Sequence, residues 1–169
     1  MLTALDAPDG TLDASEKNFV AKIREHGWFG TSVFAEAEHP GFCYTTGFWK
    51  TLGFPELIAF SLKRDSAHGI FWNVFNDVKA GRQFENGKRF DNILNADDIV
   101  LLSVDKRHYR EHLGWSRWFY AGDSFPCLQL ILPDRANRFP WDDGFDNSHT
   151  PDQPDLSEAG WETLATRKI

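Results

Sequence analysis

The residues whose types and spacing most directly suggest chemistry are His108, Glu111 and His112, which form an H-x-x-E-H string. Histidines four positions apart lie on one helix face, so both could bind one zinc ion while Glu111 acts as a general base. The segment is dense in Lys and Arg, which disfavour a dication, and no third ligand is singled out. We therefore assign no metal site and keep a zinc-dependent hydrolase as the third hypothesis.

Hydroxyl and amide side chains also lie inside segments that are otherwise apolar. Tyr44, Thr45 and Thr46 precede Gly47 and could line a ligand pocket, which the glycine would let a ligand approach closely. Cross-strand pairing is the structural alternative. Gln129 is flanked by leucines, and a buried amide must find partners in a loop backbone or in a ligand. All four side chains are candidate ligand-binding or partner-binding residues.

Large aromatic side chains supply the remaining candidates. Aromatic residues make up 15% of the chain and include seven tryptophans. Trp115 and Trp118 either pack in the core or form a stacking platform for a flat ligand or a partner. Arg138 could stack its guanidinium on Trp141 and pair with a neighbouring carboxylate, or bind an anion. Buried Trp, Tyr and Arg anchors are typical of protein interfaces.

Composition and charge exclude several functional classes. The net charge is −7, and residues 142–169 alone hold seven acidic and two basic side chains. An acidic chain without a basic stripe argues against nucleic acid and anionic membranes as partners, and no apolar run approaches the ~20 residues of a membrane span. Cys43 and Cys127 lack the spacing of a metal or redox motif, so we expect buried thiols in a reducing cytoplasm. No Gly-rich phosphate loop and no nucleophile elbow is present.

The candidate residues must be positioned by helices and strands that the pattern predicts. A helix should begin after Asp13, with Glu16 completing a capping box, and end at Gly27. A second should begin at Asp65, capped by Asp65 or Ser66, carry apolar residues at i, i+3 and i+4, and close at Gly81. A short helix should cover 106–113 and could continue into 115–120. Strands are predicted at 28–35, 42–49, 55–62, 98–105 and 125–132, with a hairpin around Asn86-Gly87.

This succession of elements predicts an α+β fold. Helices interrupt the strands without strict βαβ alternation, which favours a mostly antiparallel or mixed sheet of five to seven strands with two main helices and one short helix. We expect a flexible lead-in at 1–13, a single globular domain at 14–146 and an acidic, proline-containing tail at 147–169 that wraps the surface or stays disordered. The order of the strands does not follow from the pattern.

Several strings together resemble the bacterial family known as domain of unknown function 4262. They are HGW at 26–28, GFCYTTGFW at 41–49, FPELI at 54–58, FPCLQLILPD at 125–134 and RFPW at 138–141. The similarity covers about residues 19–156. The chain departs from the family at Phe54, where histidine is usual, and at Leu132, where tryptophan is usual. The first departure weakens any mechanism that uses a histidine at position 54. The resemblance implies a single cytoplasmic bacterial domain and supplies no activity, cofactor or catalytic residue.

Three functions remain open on this sequence. Our first hypothesis is a non-catalytic binding or protein-interaction module, with an immunity-like role as one option, because no complete catalytic set is present while aromatic residues lie near polar loops. The second is an enzyme of split-barrel type that binds a flat cofactor such as a flavin, although no basic cluster is placed to hold its phosphate. The zinc-dependent hydrolase is the third. The cofactor, the partner and the oligomeric state are not predicted.

Overall fold

The computed structural model of the protein describes residues 1–91 and 98–165. Its strands are β1 (Phe29–Val33), β2 (Phe42–Thr46), β3 (Glu56–Phe60), β4 (Arg89–Phe90), β5 (Ile99–Ser103) and β6 (Cys127–Ile131). Its α-helices are α1 (Ala14–His26), α2 (Phe48–Leu52), α3 (Arg64–Lys79), α4 (Tyr109–His112), α5 (Gly114–Phe119) and α6 (Glu162–Ala165). Two long helices accordingly accompany four short ones within the described residues, where one short helix was expected.

The six strands form one mixed sheet in the order β1-β2-β3-β6-β5-β4. Neighbouring strands are antiparallel except β3 and β6, which run parallel with Ile58 opposite Gln129. The predicted α+β class and strand number are confirmed. The sheet order leaves β1 and β4 as the two edges, and this arrangement matters for the candidate site.

Each face of the sheet is covered by a different set of elements. Helix α3 lays its apolar stripe on one face, and Ala67, Ile70, Phe71, Val74 and Phe75 pack there with β2, β3 and β5. On the opposite face, α1, α4 and α5 cover the half of the sheet around β2 and β3. The chain after β6 covers the other half, where Phe139 and Trp161 pack on β5 and β6. Three apolar clusters therefore hold the fold together.

The cap signals of α1 are confirmed. The Asp13 carboxylate accepts from the Glu16 N–H at 2.8 Å, and the Glu16 carboxylate accepts from the Asp13 N–H at 2.9 Å. Gly27 ends the helix with φ 89°, the left-handed conformation that glycine adopts without a Cβ penalty.

Three local predictions are wrong. The predicted strand 42–49 ends at Thr46, since Gly47 with φ 115° turns the chain into α2. Helix α3 begins at Arg64 with Lys63 as its N-cap and without a side-chain cap, so neither Asp65 nor Ser66 has the predicted role.

The third wrong prediction is the hairpin around Asn86-Gly87. The strand after this turn, β4, pairs with β5 and not with the residues before the turn. The Asn86 side chain instead accepts a hydrogen bond from the Ser103 N–H at 2.8 Å, which ties the turn to the end of β5.

The two chain ends pack against the body in the described region. Thr3 and Asp6 form a capping box around a 3-10 turn. Near the C-terminus, Leu156 is buried and Ser157 forms a β-bridge with Val104, so residues up to 165 follow the surface. No helix in the described part of the chain is long and apolar enough to cross a membrane.

Candidate functional site

The predicted site residues on β2 are buried and hydrogen-bonded inside the protein. The Tyr44 hydroxyl accepts from the Trp115 N–H at 3.0 Å. Thr46 donates to Ser116, whose hydroxyl in turn donates to the Thr45 carbonyl oxygen at 3.1 Å. Burial raises the pKa of the Tyr44 hydroxyl. These contacts join α5 to β2 and place Trp115 near the edge of the sheet.

Trp118 and Gln129, two further predicted site residues, lie in different parts of the structure. Trp118 packs with Trp115 against Phe19. The Gln129 amide donates to the Pro154 carbonyl at 2.7 Å and accepts from the Leu156 N–H at 3.1 Å. A buried amide thus finds its partners in the backbone of the C-terminal segment.

Arg138 and Trp141 lie in the corner that follows β6. Arg138 donates to the Gly144 carbonyl at 2.7 Å and does not stack on Trp141, which lies parallel to Phe139 with ring centroids 5.3 Å apart. The guanidinium that locks this corner belongs to Arg89, which lies 4.7 Å from the Phe139 ring centroid and pairs with the buried Asp142 carboxylate. Arg89, which is close in space but distant in the sequence, therefore makes the ring and carboxylate contacts expected of Arg138.

The histidines of the H-x-x-E-H string lie on α4 and the turn before it. His112 Nδ1 lies 3.0 Å from the His108 carbonyl oxygen, and His108 Nε2 accepts from Arg107. Burial and the neighbouring Arg107 charge lower the pKa of His108. Within 1–91 and 98–165 no group of three or more potential ligands is arranged to hold a metal ion. The zinc-dependent and flat-cofactor hypotheses stay predictions.

A buried carboxylate that the sequence pattern did not single out organises the centre of the fold. Glu56 is fully buried and accepts hydrogen bonds from the backbone N–H groups of Gly47, Phe48 and Trp49 at 3.0–3.1 Å. The hydroxyls of Thr45 and Tyr120 donate to it at 2.8 and 2.5 Å. Five donors thus converge on one carboxyl group at the beginning of α2.

The pKa of Glu56 reflects a competition between burial and these donors. Burial raises the pKa more than the hydrogen bonds from Tyr120 and the backbone lower it, so that the pKa of Glu56 is about 7. Burial and the adjacent Glu56 charge raise the pKa of Tyr120 as well. Because every donor comes from within the fold and Glu56 has no exposed surface, the group serves the structure.

The open edge of β1 presents backbone groups that have no partner strand. The Ser61 N–H donates to the Gly41 carbonyl just before β2. Since backbone groups alternate in direction along a strand, residue 43 directs its N–H and carbonyl toward β3, and residues 42, 44 and 46 direct theirs toward β1. By the same alternation, Gly30 and Ser32 direct their backbone groups away from the sheet. In the described structure these groups form no hydrogen bond to another residue.

The two edges of the sheet differ in how well they are protected. Edge strands are commonly shortened, charged or interrupted by proline, which prevents pairing with other chains. Strand β4 has two residues, one of them Arg89, and so is protected in this way. Strand β1 has five residues, FGTSV, without charge or proline. It therefore offers a regular, uncharged template for another strand.

An exposed aromatic side chain marks the end of this edge. Phe34 follows β1 directly and is 87% exposed, and Val33 is 40% exposed. Phe34 lines three grooves of about 910, 440 and 330 Å³ that surround the β1–β2 hairpin. The smallest of the three runs along β1 and includes Trp115, one of the aromatic residues selected from the sequence.

The sequence carried signals for two of the missed residues. Glu56 is an acid at the start of an apolar run that forms a buried strand, which is unusual without internal partners. Phe34 lies two residues before the turn-forming EAEHPG at 36–41, where a large aromatic side chain has little to pack against. The open edge itself has no such signal because it depends on strand order.

Comparison with known proteins places this architecture in a family. A family model described as "Domain of unknown function (DUF4262)" matches residues 22–146. The chain belongs to the DUF4262 family. The matched range includes every strand of the sheet and the β1–β2 hairpin. No curated protein and no solved structure matches the chain.

Proposed function

We propose that this DUF4262 protein is a non-catalytic protein-interaction module that binds an extended segment of another protein along the open edge of β1. The observation that carries the proposal is the unprotected edge itself. Gly30 and Ser32 turn their backbone groups outward, and the strand holds neither charge nor proline. A bound segment would gain main-chain hydrogen bonds there, as in other cases of strand addition.

The surroundings of β1 supply the side-chain contacts that such binding needs. Phe34 stands exposed at one end of the strand, and Phe29, Trp115 and Phe19 form an aromatic wall beside it. Exposed aromatic groups next to a groove are typical of interface anchors. The buried polar groups around Glu56 are occupied within the fold, which agrees with a binding role and not a catalytic one.

Replacement of Ser32 tests the proposal directly. Ser32→Pro removes an outward N–H without touching the hydrogen bonds between β1 and β2, and proline is tolerated on edge strands in this position. Ser32→Ala keeps the N–H and is the matched control, since both variants lose the contact between Ser32 Oγ and Cys43 Sγ. Peptides selected from a random phage-displayed library on the unaltered protein should bind Ser32→Ala and lose Ser32→Pro.

Phe34→Ala should lower the affinity of the protein for the same peptides about tenfold, which is the effect of removing one aromatic anchor. The variant should keep its melting temperature, because the side chain is exposed. The proposal would be contradicted if the selected peptides bound Ser32→Pro as tightly as Ser32→Ala, or if the library yielded no binding peptide. A change of oligomeric state on Ser32→Pro, measured by light scattering, would identify a second copy of the chain as the occupant instead.

A further inference from the structure

The two sides of the β1 edge differ in chemistry. On the side of α3, Gly30 and Ser32 border Arg64 and His68. On the opposite side, Phe29 and Trp115 both contact the ring of Phe19, with centroid distances of 4.7 Å. One side is therefore basic and the other aromatic.

The basic side contains two cations at a position that does not benefit the fold. Lys63 is the N-cap of α3 and Arg64 its first residue. Cations are unfavourable at a helix N-terminus, where the peptide dipoles present positive charge. Neither side chain forms an ion pair with any residue in the described part of the chain. Among the described residues that line the groove along β1, Arg64 carries the charge.

We infer that the segment added to β1 alternates acidic and apolar side chains, the acidic ones facing Arg64 and Lys63 and the apolar ones facing Phe29 and Trp115. This inference rests on the proposed function. Successive side chains of a strand point to opposite faces, so one extended segment can meet both sides of the edge at once. The acidic groups would neutralise the two unpaired cations.

Other occupants fit these charges less well. Two copies of the chain joined edge to edge by a two-fold axis would bring both Arg64 side chains to the same face of the shared sheet, where they repel. The chain's own acidic C-terminal segment lines the two wider grooves near Phe34, where Asp152 lies with Lys63 and Arg64. Gln129 and Val104 fix residues 154–157 in that place, and no described residue of the segment lines the groove along β1. A separate acidic segment is the occupant that the charges favour.

Two synthetic octapeptides test this inference, one alternating valine with glutamate and one alternating valine with lysine, both acetylated and amidated. Their affinities are measured by NMR titration, following the amide signals of Gly30 and Ser32. The glutamate peptide should bind about tenfold more tightly at low salt, and added salt should reduce the difference. Arg64→Glu should abolish the preference, because the new carboxylate offsets the remaining charge of Lys63.

Lys79→Glu is the matched control for Arg64→Glu. It makes the same change of charge at the opposite end of α3, about 22 Å away at 1.5 Å per residue, and should leave the preference unchanged. Arg64→Glu should fold normally, because Arg64 is exposed and an acid suits a helix N-terminus.

The possible outcomes separate the two proposals. If both peptides bind equally and both lose binding on Ser32→Pro, strand addition stands and the acidic preference is wrong. If the preference persists in Arg64→Glu, the charge of α3 does not select the segment and the inference is wrong. If neither peptide shifts the β1 amides, the proposed function itself is contradicted.

Discussion

At the scale of single residues, Glu56 joins β2, α2 and the residue after α5 through its hydrogen bonds. Its carboxylate gathers the first N–H groups of α2 and the hydroxyls of Thr45 and Tyr120. Both hydroxyls accept a backbone N–H, from Leu57 and Lys50 respectively, which directs their own protons toward Glu56. A buried acid is tolerated here because five hydrogen-bond donors point at its carboxyl group.

The raised pKa of Glu56 predicts a pH-dependent stability. Its ordinary pKa is 4.5 and its pKa in the fold is about 7, so the folded state holds the proton over a range in which the unfolded chain has lost it. The contribution of Glu56 to the free energy of unfolding is complete below pH 4.5 and disappears as the pH rises to about 7. A shift of this size corresponds to about 3 kcal/mol.

Tyr120→Phe should extend the loss of unfolding free energy with rising pH to values above pH 7. The hydrogen bond from Tyr120 lowers the pKa of Glu56, so its loss raises that pKa further. The variant should also lose about 2 kcal/mol of stability, because a buried carboxylate loses a donor and the Lys50 N–H loses its acceptor. Urea unfolding between pH 4 and pH 9 measures both effects.

Tyr109→Phe is the matched control for this prediction. Its buried hydroxyl donates to the Phe125 carbonyl at 2.9 Å and has no hydrogen bond to Glu56. It should lose about 1 kcal/mol at every pH. An identical pH profile in the two variants would show that Tyr120 does not tune Glu56.

At the scale of elements, the turn between β2 and α2 decides where the Glu56 donors lie. Gly47 has φ 115°, and a Cβ placed there would lie 2.5 Å from the Gly27 carbonyl oxygen and 2.9 Å from the Trp28 Cα. The end of α1 and the beginning of α2 thus touch through backbone atoms. The predicted strand through residues 47–49 is wrong for this reason.

Gly47→Ala should therefore destabilise the protein by more than about 3 kcal/mol, since it combines a left-handed conformation with a clash against backbone. Gly53→Ala is the matched control: Gly53 has φ 67°, and a Cβ added to it would have no other atom within 4 Å. It should lose only about 1 kcal/mol. Thermal unfolding of both variants makes the comparison, and equal losses would show that close backbone approach is unimportant.

At the scale of the whole molecule, the C-terminal segment completes the core of the sheet. Gln129 binds the backbone at residues 154 and 156, and Gln153 binds both backbone groups of Leu132 at 2.8 and 2.9 Å. The two amide side chains thus pair with backbone N–H and carbonyl groups as a neighbouring strand would. They hold Leu156 in the cluster formed by α4 and α5.

Gln129→Leu should loosen this segment while the rest of the protein stays folded. The substitution leaves the Leu156 N–H and the Pro154 carbonyl without their partners, a cost of about 2 kcal/mol. Hydrogen exchange at the Leu156 amide should become at least about tenfold faster, as expected for a locally opened segment. Gln83→Leu, at an exposed position, is the control. Unchanged exchange in Gln129→Leu would contradict the role of this amide.

The sequence by itself determined the elements whose cause is local. The capping box and terminal glycine bounded α1, the apolar spacing identified α3, and the apolar runs located the central strands. These features depend on hydrogen bonds and side chains within a few residues of each other, so a single stretch of chain contains the information. The α+β class followed from their order.

Only the tertiary structure decided the order of the strands, and with it which edge stays open. That Glu56 meets Tyr120, that Arg89 takes the role expected of Arg138, and that β1 lies at an unprotected edge all depend on pairs far apart in the chain. Local pattern does not encode such pairs, because many strand orders bury the same apolar faces and only the packing of the complete chain selects among them.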